Sequence, residues 1–138
     1  MWHRLKNIAL SLKTYGILSP DWAVRRETSR ALCDRPPLQA HQWFEVHCKP
    51  YGIDPSIAHF AYSHLARYSG LPVARVMPSD RLEADLHWTS VCWFDWEISL
   101  CDDFFQEFGV DITDRLYGWT PETVGDLLRF LNQALGDR

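Results

Sequence analysis

The chain has 138 residues, of which 46% are hydrophobic and 23% charged, and this composition is typical of one globular domain. It excludes a disordered, collagen-like or low-complexity protein. A single core at this length buries about two-thirds of the unfolded surface, so neither a metal nor a disulfide is needed to stabilise the fold. No apolar run reaches the ~20 residues of a membrane helix, and residues 8–18 are followed by no signal-peptide cleavage pattern.

The four cysteines show no CxxC pair and no secretory context, which favours reduced thiols in a cytoplasmic protein. Cys101 is predicted to be a small core residue. The best group of metal-ligand types combines two cysteines with two histidines, but its spacing matches no usual structural zinc pattern: Cys33, His41, His47 and Cys48. We therefore expect no metal site.

Charge is divided unevenly along the chain. Residues 1–50 hold eight basic and four acidic residues, whereas residues 51–138 hold six and fourteen. The acidic second part argues against nucleic acid as a partner, because the phosphate backbone would repel it. The basic first part either docks on its acidic neighbour, which we favour, or binds an external anion such as a lipid headgroup. We expect neither nucleic acid nor a membrane as a partner.

Two clusters of helix-stopping residues, at 35–37 and 49–52, divide the chain into a basic N-terminal extension, residues 1–50, and a domain at 53–136. A first helix is predicted from one apolar face: Leu5, Ile8, Leu12 and Tyr15. Ser19 is the predicted N-cap of a second helix, with Pro20 at its first position, that continues to about Leu32. Residues 38–48 are predicted to form a short third helix.

In the domain, Asp54 and Pro55 predict the start of a helix that Gly70 ends. Its apolar face is Ile57, Phe60, His64 or Leu65, and Tyr68. Residues 89–112 predict one long helix, closed by Gly109, with a buried face spaced 3-4-3-4-3: Val91, Phe94, Ile98, Cys101, Phe105 and Phe108. A final helix opens at residues 120–123. No segment alternates with period two, so the predicted fold class is all-α.

Four segments in this order resemble the acyl carrier protein family. They are YSGLP at 68–72, DRLEADL at 80–86, FQEFGVDI at 105–112 and TVGDLL at 123–128. The likeness covers about residues 53–136 and implies a four-helix carrier-like bundle, with the N-terminal helices as an addition. In the family, the first of these segments ends helix I and the second lies in the loop that follows it. The third ends helix II, and the fourth opens the last helix.

The family carries a 4′-phosphopantetheine arm on a serine that opens helix II, where a phosphodiester meets the free N–H groups of a helix N-terminus. Counting forward from residues 85–86 puts that serine at Ser90, which is also a sensible N-cap. Counting backward from residues 108–109 puts it at Phe94, which cannot be modified. Either helix II has gained a turn with Ser90 still at its head, or the attachment site is lost.

Residues 93–104 also carry a second apolar stripe, Trp93, Trp96, Leu100 and Phe104, beside acidic residues that basic partners of carriers would recognise. The predicted partner-binding residues are Trp93, Asp95, Trp96, Glu97, Leu100, Asp102 and Asp103. We expect the N-terminal helices to pack over this stripe, with their basic residues near its acidic neighbours; a homodimer interface is the alternative.

No nucleophile elbow and no Gly-rich phosphate loop is present, so we do not expect an enzyme. Asp80, Glu83 and Asp85 are interpreted as loop or capping residues rather than as a catalytic carboxylate pair. The favoured function is a non-catalytic, carrier-like interaction module for protein partners with basic patches, without a working attachment serine. The alternative is a functional carrier that bears phosphopantetheine on Ser90 and presents acyl chains to partner enzymes.

Overall fold

The computed structural model describes residues 19–137. Within them the backbone forms seven α-helices and no β-strand, which confirms the all-α prediction for this part of the chain. The helices are α1 (Trp22–Ala31), α2 (Ala40–Trp43), α3 (Pro55–Ser69), α4 (Trp88–Val91), α5 (Trp96–Phe108), α6 (Thr113–Leu116) and α7 (Val124–Gly136). A π-helix (Phe44–Cys48) and a 3-10 helix (Lys49–Tyr51) continue α2, and another 3-10 helix spans Val73–Arg75. The predicted helix with Leu5, Ile8, Leu12 and Tyr15 lies outside the described residues.

The ends of the three long helices follow local capping chemistry. Asp54 caps α3 by accepting a hydrogen bond from the Ser56 amide at 2.9 Å. Gly70 ends α3 and Gly109 ends α5, both in the left-handed conformation that glycine adopts without strain. Thr123 opens α7 in a capping box with the carboxylate three residues later. The boundaries at Asp54, Gly70 and Gly109 were predicted from the sequence, and Thr123 lies within the predicted start of the last helix at residues 120–123.

The cap of α1 differs from the prediction, which placed it at Ser19. Asp21 is the N-cap, and its carboxylate accepts hydrogen bonds from the amides of Ala23 and Val24 at 3.1 and 3.2 Å. A carboxylate at this position also interacts favourably with the positive end of the helix dipole. The amide of Asp21 donates to the carbonyl of Ser90 at 2.8 Å, so the cap itself joins α1 to α4.

Helix α1 lies against α4 and the residues that follow it. Nε and one terminal nitrogen of Arg25 donate to the carbonyl of Val91 at 3.1 and 2.6 Å. The Arg25 guanidinium also lies 4.7 Å from the ring centroid of Trp22, and Trp22 meets Trp93 edge-on at 6.0 Å. The prediction that the N-terminal part docks on its own chain is therefore confirmed at Trp93. Arg25, however, donates to a main-chain carbonyl rather than to an acidic side chain.

The described part of the predicted extension shares the core of the following domain. One cluster of buried side chains includes Leu32, Trp43 and Cys48 together with the apolar faces of α3, α5 and α7. Trp43 is fully buried, and its Nε1 donates to the carbonyl of Val76 at 2.9 Å. The predicted boundary between residues 50 and 53 thus separates two stretches of sequence but not two cores.

Residues 89–112 do not form the single helix that their spacing predicts. Helix α4 ends at Val91, and Cys92 adopts an extended conformation at φ −81° and ψ 155°. The chain becomes helical again only at Trp96. Because the residues between the two helices do not turn by the helical 100° each, the apolar spacing that begins at Val91 does not continue on the same side of α5.

The face of α5 that was predicted to be buried is consequently the more open one. Leu100 and Phe104 are both 0% exposed, and Phe104 packs edge-on against Phe60 of α3 at 5.4 Å. Phe94 and Phe105 are 40% and 54% exposed. Leu100 and Phe104 of the predicted second stripe therefore lie in the core, and the half-buried Cys101 and Phe108 also pack against it. The prediction that Phe94 and Phe105 are buried is wrong.

Two buried tryptophans differ in their hydrogen bonding and should differ in how well they tolerate substitution. Nε1 of Trp43 has the Val76 carbonyl as acceptor, whereas Nε1 of Trp88 is buried with no acceptor among the described residues. Trp43→Phe leaves a buried carbonyl unpaired, at a cost of about 1–3 kcal/mol, whereas Trp88→Phe removes a donor that was already unpaired. We expect urea unfolding to show a smaller loss of stability for Trp88→Phe; equal losses would contradict this.

None of the helices in residues 19–137 is both long and apolar enough to cross a membrane.

Candidate functional site

A concave site of about 190 Å³ lies between the end of α3 and the first turns of α5. It is lined by Arg67, Tyr68, Trp93, Asp95, Trp96, Ser99 and Asp103. We call it the tryptophan pocket. Four of its residues, Trp93, Asp95, Trp96 and Asp103, were among those predicted to bind a partner.

The two indoles of the tryptophan pocket are held in place by other tryptophans. Trp22 packs edge-on against Trp93, with 6.0 Å between the ring centroids, and Trp88 packs edge-on against Trp96, with 5.8 Å between the centroids. Trp93 and Trp96 are half-buried, so each keeps part of its surface open. An aromatic surface that is already ordered loses little conformational entropy when a ligand binds.

Asp103 is positioned by two neighbours from α3. The hydroxyl of Tyr68 donates to Oδ2 of Asp103 at 2.6 Å, and Arg67 lies 3.3 Å from the same oxygen. Burial, followed by the hydrogen bond to Asp103, raises the pKa of Tyr68 far above its ordinary value, so the hydroxyl remains a donor at neutral pH. Oδ1 of Asp103 accepts no hydrogen bond from the described residues, so this oxygen can accept one from a ligand.

The charge around the tryptophan pocket is negative. Helix α5 contains Glu97, Asp102, Asp103 and Glu107 and no lysine or arginine. Asp95 stands at the N-cap of α5 without making a capping hydrogen bond. Among the described residues, Arg67 is the cation that lines the pocket; its side chain is 67% exposed, and exposed ion pairs are worth little. Indole surfaces beside carboxylates form a chemical environment suited to a cationic side chain.

The remaining predicted partner-binding residues lie elsewhere. Glu97 is exposed and Asp102 is half-buried, and neither lines the pocket. The prediction for Leu100 is wrong, because its side chain is fully buried in the core and has no surface to offer a partner.

Sequence analysis missed three lining residues: Arg67, Tyr68 and Ser99. Tyr68 was assigned to the apolar face of α3, and it is indeed buried there. Nothing in the local spacing shows that its hydroxyl reaches Asp103, because that contact joins two distant helices.

Ser90 is the third residue of the four-residue helix α4 and is exposed. The N-cap of α4 is His87, in the left-handed conformation at φ 53°, so the interpretation of Ser90 as an N-cap is wrong. The first residues of α5 carry Asp95 and Glu97, and these carboxylates occupy the end of the helix where a phosphodiester would bind. The surroundings of Ser90 therefore do not fit a phosphopantetheine arm at the head of a long helix.

The three carboxylates considered as a catalytic pair each have a local partner. Asp80 receives two hydrogen bonds from Arg35 at 2.7 and 2.9 Å. Glu83 accepts from the amide of Thr89 at 3.0 Å, and Asp85 accepts from the amide of Arg81 at 2.8 Å. These contacts are those of loop and capping residues.

Within residues 19–137, no group of three or more His, Cys, Asp or Glu side chains is arranged to hold a metal ion. The four residues that were weighed as ligands in the sequence, Cys33, His41, His47 and Cys48, do not form such a cluster, and Cys48 is buried while Cys33 is exposed.

No protein-family model, no curated protein and no solved structure matches the chain.

Proposed function

We propose that this chain is a non-catalytic interaction module that binds a lysine or arginine side chain of a protein partner in the tryptophan pocket. The observation that carries the proposal is the meeting of two ordered indoles with Asp95 and Asp103 in one concavity. A cation over an indole gains about 0.5–2 kcal/mol. A hydrogen bond from the same cation to Oδ1 of Asp103 would add a charge-assisted contact and fix its orientation.

A divergent carrier-like fold is part of this proposal. Helices α3, α5, α6 and α7 follow one another in the order that the resemblance to acyl carrier proteins implies. The loop between α3 and α4 is hydrogen-bonded to the start of α7. The amide of Val124 donates to the carbonyl of Asp80 at 3.0 Å, and the amide of Gly125 donates to the carbonyl of Pro78 at 2.9 Å. Two of the segments that carry the resemblance, 80–86 and 123–128, therefore pack together and support one another.

The proposal is tested with a short acetylated peptide of alternating lysine and arginine, titrated into the full chain by calorimetry. Asp95→Asn and Asp103→Asn keep the side-chain shape and remove the charge, so we expect each to weaken binding about tenfold, the equivalent of ~1.4 kcal/mol. The control is Asp114→Asn, an exposed carboxylate on α6 that does not line the pocket. Equal binding by all three variants would contradict the proposal.

The variant Arg67→Gln tests the proposal through an expected gain, rather than a loss, of affinity for the peptide. Arg67 is the resident cation and pairs with Asp103 at 3.3 Å. Removing its charge frees Asp103 and makes the pocket more negative, so we expect the peptide to bind a few-fold more tightly. Weaker or unchanged binding of the basic peptide would contradict the pocket as a cation site.

The second candidate is a carrier modified on Ser90; the exposure of that side chain is in its favour, whereas the short helix α4 around it is not. It is tested by intact mass after incubation with coenzyme A and a broad-specificity phosphopantetheinyl transferase, with Ser90→Ala as the control. The addition of one phosphopantetheine that is absent in the variant would favour the carrier. An unchanged mass would favour the interaction module.

A further inference from the structure

A separate groove of about 300 Å³ is formed by residues of the π-helix, the segment at 35–38 and the segment at 74–77. We call it the arginine groove. Its lining residues are Arg35, Pro36, Leu38, Val46, His47, Ala74, Arg75 and Met77. None of them is acidic, and none lines the tryptophan pocket. An inference drawn from the arginine groove therefore does not rest on the function proposed above.

The apolar side chains of the arginine groove are left partly open. Val46 is 55% exposed and Met77 is 37% exposed. Leu38 is half-buried and packs with part of its surface against the core. Apolar surface in a concavity gains free energy when a ligand displaces water from it, and a methionine adapts its shape to what it contacts. The groove is therefore suited to an apolar body.

Hydrogen bonds hold the backbone of the groove in place. The amide of Leu38 donates to the carbonyl of Ala74 at 2.9 Å, and the hydroxyl of Tyr62 donates to the carbonyl of Leu38 at 2.7 Å. The guanidinium of Arg35 donates to the carbonyl of Arg75 at 3.0 Å. Because the segments at 35–38 and 74–77 are joined in this way, little conformational entropy is lost when a ligand binds between their side chains.

Arg75 has donors that the rest of the described chain does not use. Its Nη1 donates to the carbonyl of Cys33 at 2.7 Å and to that of Arg35, which uses both hydrogens of this nitrogen. Nε and Nη2 have no acceptor within residues 19–137, and Arg75 forms no ion pair with a carboxylate there. Nε and Nη2 form one edge of the guanidinium, whose parallel N–H bonds match the two oxygens of a carboxylate.

The charge of the arginine groove favours an anion. Arg35 also lines the groove, but its two terminal nitrogens donate to Asp80 at 2.7 and 2.9 Å, so its charge is balanced. Burial lowers the pKa of His47, so its ring adds no charge at neutral pH. In the described part of the chain, Arg75 is thus the charged lining residue that no carboxylate balances, and it is complementary to a ligand with one negative charge.

We propose that the arginine groove binds a small apolar carboxylate. The carboxylate lies on the Nε–Nη2 edge of Arg75, and the apolar body lies against Leu38, Val46 and Met77. A volume of about 300 Å³ is at the lower end of the ~300–1,000 Å³ found for small-molecule sites. A protein partner would need a contact area of about 800 Å² on this side of the interface, and so the small groove favours a small molecule.

The test is an NMR titration of the full chain with 4-phenylbutanoate and, separately, with its neutral amide, 4-phenylbutanamide. The chain has two methionines, so labelling their methyl groups with ¹³C gives a simple spectrum, and Met77→Leu identifies the signal of Met77. We expect this signal to shift on binding, with a Kd for the carboxylate about tenfold lower than for the amide, because only the carboxylate makes two charge-assisted hydrogen bonds.

Three variants locate the charge that is responsible. Arg75→Lys keeps the charge but removes the two-nitrogen edge, so we expect most of the tenfold preference to be lost. Val46→Glu and Val46→Gln form a matched pair of equal size at an exposed position, which keeps the fold out of question. We expect the carboxylate to bind a few-fold more weakly to Val46→Glu than to Val46→Gln, because like charges repel, and the amide to bind both equally. Circular dichroism confirms that the variants fold.

Equal Kd values for the carboxylate and the amide would overturn the proposal, as would a Met77 signal that does not shift at millimolar ligand. Equal binding of the carboxylate by Val46→Glu and Val46→Gln would also overturn it. A Met77 signal that moves with protein concentration alone would identify a second copy of the chain as the occupant. An acetylated peptide of alternating leucine and glutamate that binds at least tenfold more tightly than 4-phenylbutanoate would identify a protein partner instead. Either of these results would overturn the assignment to a small carboxylate.

Discussion

Phe104→Ala is expected to lower the free energy of unfolding by about 3–5 kcal/mol, whereas Phe105→Ala is expected to lower it by less than about 1 kcal/mol. Phe104 is 0% exposed and touches two aromatic rings, Phe60 at 5.4 Å and Phe108 at 4.7 Å. Its removal leaves a cavity that rigid neighbours cannot fill. Phe105 is 54% exposed, so most of its surface is in water in both the folded and the unfolded chain.

Urea unfolding of the two alanine variants, followed by far-UV circular dichroism, measures this difference. The pair is matched in residue type, helix and position, so helix propensity cancels between the two variants. A larger loss for Phe105→Ala would favour the buried face that the sequence spacing predicts, and it would contradict the exposure of Phe105 in the structure.

Asp80→Ala is expected to destabilise the fold by about 3 kcal/mol, the loss that follows when one partner of a buried ion pair is removed. Asp80 is 4% exposed, and both of its oxygens receive hydrogen bonds from Arg35, at 2.7 and 2.9 Å. The amide of Met77 also donates to it at 2.8 Å. An arginine keeps its charge without a partner, so the guanidinium of Arg35 would lose its carboxylate in the variant and retain only its hydrogen bond to the carbonyl of Arg75 at 3.0 Å.

Asp85→Ala is the matched control, because Asp85 also pairs with an arginine but is exposed. Its partner Arg81 lies 3.4 Å away, and both side chains are largely in solvent. We expect its urea midpoint to stay close to that of the unaltered chain. Similar losses for the two variants would show that the contact between Arg35 and Asp80 does not hold the N-terminal segment to the loop between α3 and α4.

The contrast between α3 and α5 shows what this sequence can predict about its fold. The cap at Asp54, the stop at Gly70 and the buried stripe of α3 depend only on neighbours within a few turns, and local chemistry identified them. The face of α5 could not be identified in this way, because a short non-helical break before Trp96 changes its register. Both stripes of α5 are apolar, so only the packing of α3 on Phe104 distinguishes core from surface.

The tryptophan pocket was predictable to a similar extent. The sequence indicated Trp93, Trp96 and the acidic residues because large aromatic and charged side chains recur there. It did not indicate Arg67 or the hydroxyl of Tyr68, since these reach the pocket from the end of α3. The contact between Tyr68 and Asp103 spans 35 positions in the chain, and no local pattern records it.

The most direct test of the proposed function is an NMR titration that follows the indole N–H signals of the seven tryptophans. The probe is the same acetylated lysine and arginine peptide, added to the full isotope-labelled chain. Trp93 and Trp96 line the tryptophan pocket, so we predict that their signals shift on binding, whereas that of the fully buried Trp43 stays in place. Shifts confined to other tryptophans, or no shifts at saturating peptide, would contradict the assignment of the pocket as a site for a basic side chain.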